Sequence, residues 1–246
     1  MIDARLYAIL DLGYVPEDRA EEVTTSLLAG GADLLQLRAK GHDLATIRRI
    51  AGKLIPLCRA ADVPFILNDH PALAAEIGAD GVHIGQDDGS LANAREKGGR
   101  HLACHPPSTT DHGIYLDLDS FIHSPSSIPH PPSPISNPRA FFIGRSTHSL
   151  AQARAALAEG FDYIGFGPLF PTPTKAGRPG IGLEDIAAME NEVGKHIPAF
   201  CIGGIKRSNL LQVLAAGARR VVIVSDLLTD PDIQAATASV AATTVR

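Results

Sequence analysis

Short apolar runs follow glycine at intervals along the chain, and each glycine ends an alanine-rich stretch with helical periodicity. This arrangement predicts a helix that ends at the glycine and a buried parallel strand that begins shortly afterwards. Four joints have this form, at Gly31, Gly78, Gly160 and Gly217, followed by runs at 34–37, 81–84, 163–166 and 221–224. Four further apolar runs, each followed by a helical pattern, predict strands at 7–10, 64–67, 141–143 and 199–202.

Strands that alternate strictly with helices predict an all-parallel sheet, and no hairpin signal such as Asn-Gly separates two alternating runs. Eight strand–helix units in 246 residues predict the α/β class and a single (β/α)8 TIM barrel over residues 1–246. The rival is an open doubly wound sheet, whose Gly-x-Gly-x-x-Gly signature is absent after the first predicted strand.

One interval between the joints is too long. Gly31 and Gly78 are 47 positions apart and Gly160 and Gly217 are 57 apart, whereas Gly78 and Gly160 are 82 apart. The surplus coincides with residues 104–138, which are rich in proline, serine and histidine and suit neither a packed helix nor a strand. We therefore expect a low-complexity insertion between strands 4 and 5.

The composition narrows the class of protein. Hydrophobic residues make up 45% of the chain, charged residues 20%, and the net charge is −5. Interspersed charges offer no basic surface for nucleic acid, and no apolar stretch is long enough to cross a membrane. Three widely spaced cysteines favour a reducing compartment. We expect a cytoplasmic protein that acts on small molecules, and a homo-oligomer is left open.

Polar residues follow the second predicted strand. In a barrel the active site is built from the loops after the carboxyl ends of the strands. Alternation there turns Gln36, Arg38 and Lys40 to one side. Two cations and an amide at a barrel mouth predict a polyanion site, because arginine binds phosphate by its fork and lysine as a point charge. The alternative is a solvated loop.

Carboxylates follow the next two strands. Asn68 and Asp69 come after the third strand, and Asp87 and Asp88 after the fourth. Oxygen donors on adjacent strand ends, beside arginine and lysine, predict a Mg2+ ion that substrate phosphates complete. Diphosphate is therefore the favoured ligand. The alternative is that Asp87 or Asp88 caps a helix predicted at residues 91–97.

Hydroxyls and glycines follow the last four strands. After the fifth, Ser146 is expected to face the pocket, Ser149 to cap a helix, and His148 to be either structural or catalytic. The later loops contribute Thr172, Pro173, Thr174 and Lys175 after strand 6, Gly203 and Gly204 after strand 7, and Val224 and Ser225 after strand 8. Such loops are typical of a barrel's monophosphate site. Two anion sites are thus predicted, and with them two phosphorylated substrates.

These motifs together resemble the thiamine phosphate synthase family, also called thiamine-phosphate pyrophosphorylase. The resemblance covers Gln36 to Lys40, Asn68-Asp69, residues 78–88, 144–149 and 167–175, Gly203-Gly204 and Val224-Ser225, nearly the whole chain apart from the insertion. It implies a transferase that joins hydroxymethylpyrimidine diphosphate to 4-methyl-5-(2-phosphoethyl)thiazole, or its carboxylated form, giving thiamine phosphate and pyrophosphate. The implied mechanism is dissociative and Mg2+-assisted: diphosphate leaves, and the thiazole nitrogen attacks the pyrimidine carbocation.

The same resemblance implies the roles of individual residues. The implied catalytic residues are Arg38, Lys40, Ser146 and Lys175. The implied Mg2+ ligands are Asp69 and Asp88. The implied substrate-binding residues are Gln36, Leu37, Arg38, Ala39, Lys40, Asn68, Ser146, Thr172, Pro173, Thr174, Lys175, Gly203, Gly204, Val224 and Ser225.

Two alternative functions stay open. Residues 144–149 also resemble the thiazole tautomerases, related barrels that isomerise the thiazole phosphate and in which a histidine at the position of His148 matters. The presence of Asp88 and Lys175 favours the synthase, because tautomerases can lose this diphosphate apparatus. The other alternative is a barrel that binds a phosphorylated ligand without turnover.

Overall fold

A computed structural model describes residues 3–98, 141–172 and 179–244 of the chain. Eight parallel strands form one closed barrel, in which each strand pairs with the next and the last pairs with the first. They are β1 (Leu6–Asp11), β2 (Leu34–Arg38), β3 (Phe65–Asn68), β4 (Gly81–Ile84), β5 (Phe142–Thr147), β6 (Tyr163–Phe166), β7 (Ala199–Cys201) and β8 (Val221–Ile223). The predicted (β/α)8 TIM barrel is confirmed.

Helices follow the strands and cover the outside of the barrel. They are α1 (Ala20–Ala29), α2 (Leu44–Ala60), α3 (Pro71–Glu76), α4 (Leu91–Lys97), α5 (Leu150–Glu159), α6 (Ile186–Met189), α7 (Leu210–Ala215), α8 (Ser225–Leu228) and α9 (Ile233–Thr244). A π-helical turn over Glu190–Gly194 continues α6. In the described ranges, no helix is long and apolar enough to span a bilayer.

Strand alternation divides the apolar side chains between two cores, because successive residues of a strand point to opposite faces. One core lies between the strands and the surrounding helices and includes Leu35 and Leu37. The other fills the barrel itself. Its buried members are Ala4, Tyr7, Ile9, Leu34, Ile66, Tyr163, Phe200 and Val222. Aromatic and aliphatic side chains therefore fill the barrel interior, and polar residues line its carboxyl end.

The fifth strand is longer than the apolar pattern predicts. The pattern ends at residue 143, but β5 continues through Thr147. Gly144 makes room inside the barrel, where a Cβ would lie 2.0 Å from the ring of Tyr163. Thr147 is fully buried, and its hydroxyl donates to the carbonyl of Gly165 at 3.0 Å. Polar residues can thus extend a buried strand when they find partners. The predicted insertion, residues 104–138, lies outside the described residues.

Candidate active site

A cavity opens at the carboxyl end of the barrel, and every strand or the loop after it contributes to its lining. Of the residues singled out in the sequence, the lining includes Gln36, Arg38, Asn68, Ser146, Thr172, Gly203, Gly204, Val224 and Ser225. Residues that are up to 189 positions apart in sequence therefore share one site. The strand-end rule accounts for this, since parallel strands of a barrel all end at the same face.

Other predicted residues lie elsewhere. The side chain of Leu37 is fully buried in the core between strands and helices, because alternation turns it away from the face that Gln36 occupies. Ala39, Lys40 and Asp69 line a depression beside the main cavity. Asn68 lines both and so joins them. Three predicted residues, Pro173, Thr174 and Lys175, lie outside the described ranges.

A buried ion pair holds Arg38 at the rim of the cavity. Asp11 and Arg38 are register partners at the ends of β1 and β2. Arg38 Nη1 lies 2.6 Å from Asp11 Oδ2, and Asp11 is only 1% exposed. The other carboxylate oxygen of Asp11 accepts a hydrogen bond from the backbone N–H of Gly13 at 2.9 Å. The carboxylate thereby fixes the guanidinium, which lines the cavity.

Asp69 adopts a backbone conformation that few residues tolerate. Its φ is 70°, in the left-handed region that favours glycine, asparagine and aspartate. Its backbone N–H donates to the carbonyl of His83 at 2.9 Å, which ties the end of β3 to β4. Its carboxylate accepts from Lys40 Nζ at 2.8 Å. The depression beside the cavity thus holds one lysine and one carboxylate in contact.

Asp88 lies on an exposed part of the loop after β4. Its carboxylate accepts from the backbone N–H of Gly85 at 2.7 Å, so the loop folds back on itself. The interpretation of Asp87 or Asp88 as a helix cap is wrong. Ser90 caps α4, and its hydroxyl accepts from the N–H of Asn93 at 3.2 Å. A serine directly before the helix competes well for this position because its oxygen reaches the first turn.

A chain of hydrogen bonds crosses the floor of the cavity. Gln36 Nε2 donates to the hydroxyl of Tyr7 over 2.5 Å, and that hydroxyl lies 3.3 Å from the hydroxyl of Tyr163. Nδ1 of His83 is 3.3 Å from the Tyr163 oxygen, and Nε2 is 3.0 Å from Ser146 Oγ. Two predicted site residues, Gln36 and Ser146, are therefore connected through three residues that the sequence analysis did not single out.

One set of proton positions gives every phenol proton in this chain an acceptor. Burial raises the pKa of both tyrosine hydroxyls well above the ordinary range, so both stay protonated. Because Tyr7 accepts from Gln36, every phenol proton has an acceptor when Tyr7 donates to Tyr163 and Tyr163 to Nδ1 of His83. In this set, a neutral His83 donates through Nε2 to Ser146. The Ser146 hydroxyl is left to turn its own proton toward the cavity.

His148 is held where the loop after β6 begins. Its Nδ1 donates to the carbonyl of Gly167, and its backbone N–H donates to Gln152 Oε1 at 2.7 Å. Ser149 caps α5 as predicted, since its hydroxyl accepts from the N–H of Gln152 at 3.2 Å. The imidazole lines the cavity, and the Gly167 carbonyl fixes its orientation.

The two glycines after β7 support the loop after β6. Their φ values are 96° at Gly203 and 66° at Gly204, both left-handed. The N–H of Leu169 donates to the carbonyl of Ile202 at 2.9 Å, and the N–H of Phe170 donates to the carbonyl of Gly203 at 3.0 Å. The backbones of the two loops therefore run in direct contact, which leaves no space for side chains at the glycines.

Replacing Gly203 by alanine is expected to lower the free energy of unfolding by about 3 kcal/mol, from left-handed strain plus overpacking. A Cβ there would lie 2.4 Å from Cα of Pro168. Chemical denaturation measures the change. Gly31→Ala is the matched control: its φ is 90°, but its Cβ would meet only the Cβ of Ala241 at an ordinary 3.4 Å. Equal losses in the two variants would contradict the close packing of the loops.

The sequence analysis missed Asp11, Tyr7, His83 and Tyr163. Asp11 follows the first apolar run and would have been found by applying the strand-end rule to β1 as to the other strands. His83, like Gln36, is a polar residue within a predicted apolar strand, which is itself a signal. The tyrosines carry no such signal, because their hydroxyl contact joins residues 156 positions apart.

Comparisons with known proteins agree with the family that the sequence motifs resemble. A sequence profile described as thiamine monophosphate synthase matches residues 6–104 and 135–227. The unmatched segment between these ranges lies within the stretch predicted as an insertion. A thiamine-phosphate synthase of Thermus thermophilus is 38% identical over 209 residues, which cover 85% of this chain and 81% of the relative.

Further relatives are similar to this protein over most of its chain. A thiamine-phosphate synthase of Halalkalibacterium halodurans is 32% identical over 235 residues, covering 95% of this chain and 92% of the relative. The solved structure of a thiamine phosphate pyrophosphorylase from Pyrococcus furiosus is 27% identical and superimposes with a TM-score of 0.72, covering 97% of this chain and 94% of that one. The chain therefore belongs to the thiamine monophosphate synthase family.

Proposed function

We propose that this protein is a thiamine phosphate synthase, a transferase of thiamine biosynthesis that joins a pyrimidine diphosphate to a thiazole phosphate and releases pyrophosphate. The observation that carries the proposal is the shared cavity. Arg38, Asn68 and Ser146 line it on one side, and Gly204 and Ser225 line it on the side of the last two strands. One cavity with donors on both sides suits two phosphorylated substrates that react with each other.

The diphosphate would bind at the ends of β2, β3 and β5. Arg38 is held by Asp11 in a fixed orientation, which lowers the entropic cost of binding an anion. Asn68 adds an amide at the border with the depression that holds Lys40. Ser146 lines the same cavity, where its hydroxyl would donate to the anion. These donors would stabilise the negative charge that grows on the leaving diphosphate, as the dissociative mechanism implied by the family requires. Lys175 as a further donor remains a prediction.

Asp69 and Asp88 follow neighbouring strands and are the carboxylates that would hold Mg2+. Asp69 lines the depression, and Asp88 lies on the exposed loop after β4. Among the described residues, no group of three histidine, cysteine or carboxylate side chains could hold a metal ion. Mg2+ commonly takes only one or two carboxylates and fills its other positions with phosphate oxygens and water. The donor set thus suits an ion bound together with the diphosphate. When bound, Mg2+ neutralises charge on the departing pyrophosphate.

Ser146 and His83 resemble a nucleophile with its base, but their surroundings indicate another role. Nδ1 of His83 faces the hydroxyl of Tyr163. A base for serine would need Nε2 free of its proton, whereas Nε2 carries a proton in the set of positions that gives every phenol proton an acceptor. We therefore propose Ser146 as a donor to the substrate rather than as a nucleophile. This agrees with a reaction in which the leaving group departs before the new bond forms.

The remaining residues would complete the binding sites for the two substrates. Gln36, 2% exposed and held by Tyr7, lies at the cavity floor, where the polar edge of the pyrimidine would bind. Thr172, Gly204, Val224 and Ser225 line the other side, where the thiazole phosphate would bind. Pro173 and Thr174 stay predictions for the same subsite. A cytoplasmic location, a homo-oligomer and the absence of nucleic-acid or membrane partners also stay predictions.

Pyrophosphate release tests the proposed function. The purified protein is mixed with hydroxymethylpyrimidine diphosphate, thiazole phosphate and Mg2+, and each component is omitted in turn. Release that requires all three supports the synthase. No release, together with Mg2+-independent isomerisation of the thiazole phosphate, would reassign the protein as a tautomerase and make His148 the residue to mutate. Ligand binding without either reaction would indicate a binding protein.

A further inference from the structure

The loop after β4, residues 85–90, is held against β5 by one arginine. Nη1 of Arg145 donates to the carbonyl of Gly89 at 2.7 Å, and Nη2 donates to the carbonyl of Gln86 at 3.1 Å. These two carbonyls lie on either side of Asp88 in the sequence. The guanidinium therefore bridges the loop around the residue that is proposed to bind Mg2+.

Arg145 is itself held in place. Its backbone belongs to β5 and pairs with Ile84 at the end of β4. Its guanidinium carbon lies 5.3 Å from the centroid of the Phe161 ring, which is buried. A cation over an aromatic face at this distance is attracted to it, so the ring restricts the guanidinium from a third side. The arginine is thus a fixed support rather than a mobile surface cation.

A second contact ties the same loop to the same strand. Gln86 Nε2 donates to the backbone carbonyl of Ser146, the residue next to Arg145. A side chain of the strand thus donates to the loop, and a side chain of the loop donates to the strand. Inside the loop, Asp88 accepts from the N–H of Gly85. Asp88 and Ser146 are 58 positions apart in sequence, so these direct bonds fix their relation independently of the chain that connects them.

We propose that Arg145 is a positioning residue that holds the Asp88 carboxylate in register with Ser146 for a metal-bound diphosphate. The inference rests on the proposed function, because it concerns the same corner of the site. Arg145 does not line the cavity, so it acts on the substrate only through the loop. Residues that orient metal ligands commonly change metal affinity by about 10- to 100-fold when they are replaced.

Arg145→Gln tests the proposal. The apparent Mg2+ activation constant is expected to rise about tenfold, while kcat at saturating Mg2+ changes less than about threefold. Mn2+ binding in the presence of pyrophosphate should weaken by a similar factor. The loss of the free Mn2+ signal in electron paramagnetic resonance measures this binding. Arg145→Lys keeps the charge but can reach only one carbonyl at a time, so an intermediate shift is expected.

Arg95→Gln is the matched control. Arg95 also donates from Nη2 to a backbone carbonyl, that of Gly160 at 2.9 Å, and joins α4 to the end of α5 without touching the loop. Its Mg2+ and Mn2+ values should equal those of the unmodified protein. Unchanged metal binding in Arg145→Gln, or an equal shift in Arg95→Gln, would overturn the proposal. If the unmodified protein releases no pyrophosphate, the proposed function fails, and the Mn2+ measurement still decides the role of Arg145.

Discussion

Replacing Asp69 by asparagine is expected to reduce Mg2+-dependent pyrophosphate release by at least about 100-fold, with the fold intact. Asparagine keeps the size of the side chain and tolerates the left-handed φ of 70°, so only the charge is removed. Alanine at this position would add backbone strain and confuse the result. The lost carboxylate is one of two proposed Mg2+ ligands, and metal charge stabilisation supplies several kcal/mol in such reactions.

The stability of Asp69→Asn should change little. The ion pair with Lys40 is partly solvated, since the lysine side chain is 55% exposed and the aspartate 20%. Such pairs contribute about 0–1 kcal/mol. Thermal unfolding checks this expectation, and a Mg2+ titration should show activity partly restored at higher concentration. Activity that stays at the level of the unmodified protein would remove Asp69 from the metal site.

Asp62→Asn provides the control for charge and conformation together. Asp62 is the other described non-glycine residue with a positive φ, 54°, and it follows the end of α2, at the opposite end of the barrel. The substitution removes the same charge from the same class of backbone. Its activity and Mg2+ dependence should be unchanged. A loss as large as that of Asp69→Asn would indicate a general effect of net charge.

Most of the fold was predictable because each strand is marked locally. A glycine that ends a helix and an apolar run that follows it, as at Gly78 and β4, are both short-range signals. Strand ends were harder, because they depend on partners in other strands. In β5, the extension to Thr147 is accommodated by Gly144, which admits the Tyr163 ring, and by the threonine hydroxyl, which reaches the carbonyl of Gly165. None of these contacts can be derived from the residues of β5 alone.

The site was predictable to the extent that it follows from strand ends. Gln36, Arg38 and Asn68 line the cavity because alternation and the barrel place them there. Alternation also explains why Leu37 does not, although it stands in the same motif. The residues that orient these side chains could not be predicted. The chain of hydrogen bonds from Gln36 to Ser146, for example, passes through aromatic side chains from opposite sides of the barrel.

Replacing Arg38 by alanine is expected to lower kcat/KM for the two substrates by roughly 100- to 1,000-fold, the usual effect of removing a preorganised donor from developing charge. It should also destabilise the protein by about 3 kcal/mol, because it leaves the Asp11 carboxylate buried without its cation. Steady-state kinetics and chemical denaturation measure the two effects. Arg38→Lys should recover only part of the activity, since a single ammonium cannot reproduce the fork.

A double variant separates the two roles of this arginine. Asp11→Asn combined with Arg38→Ala removes both charges, so most of the lost stability should return, because no buried charge stays unpaired. Activity should remain as low as in Arg38→Ala, since the diphosphate still lacks its guanidinium. Recovery of activity together with stability would mean that Arg38 serves only to neutralise Asp11. Arg48→Ala, which breaks an exposed pair with Glu76, should leave both measurements near those of the unmodified protein.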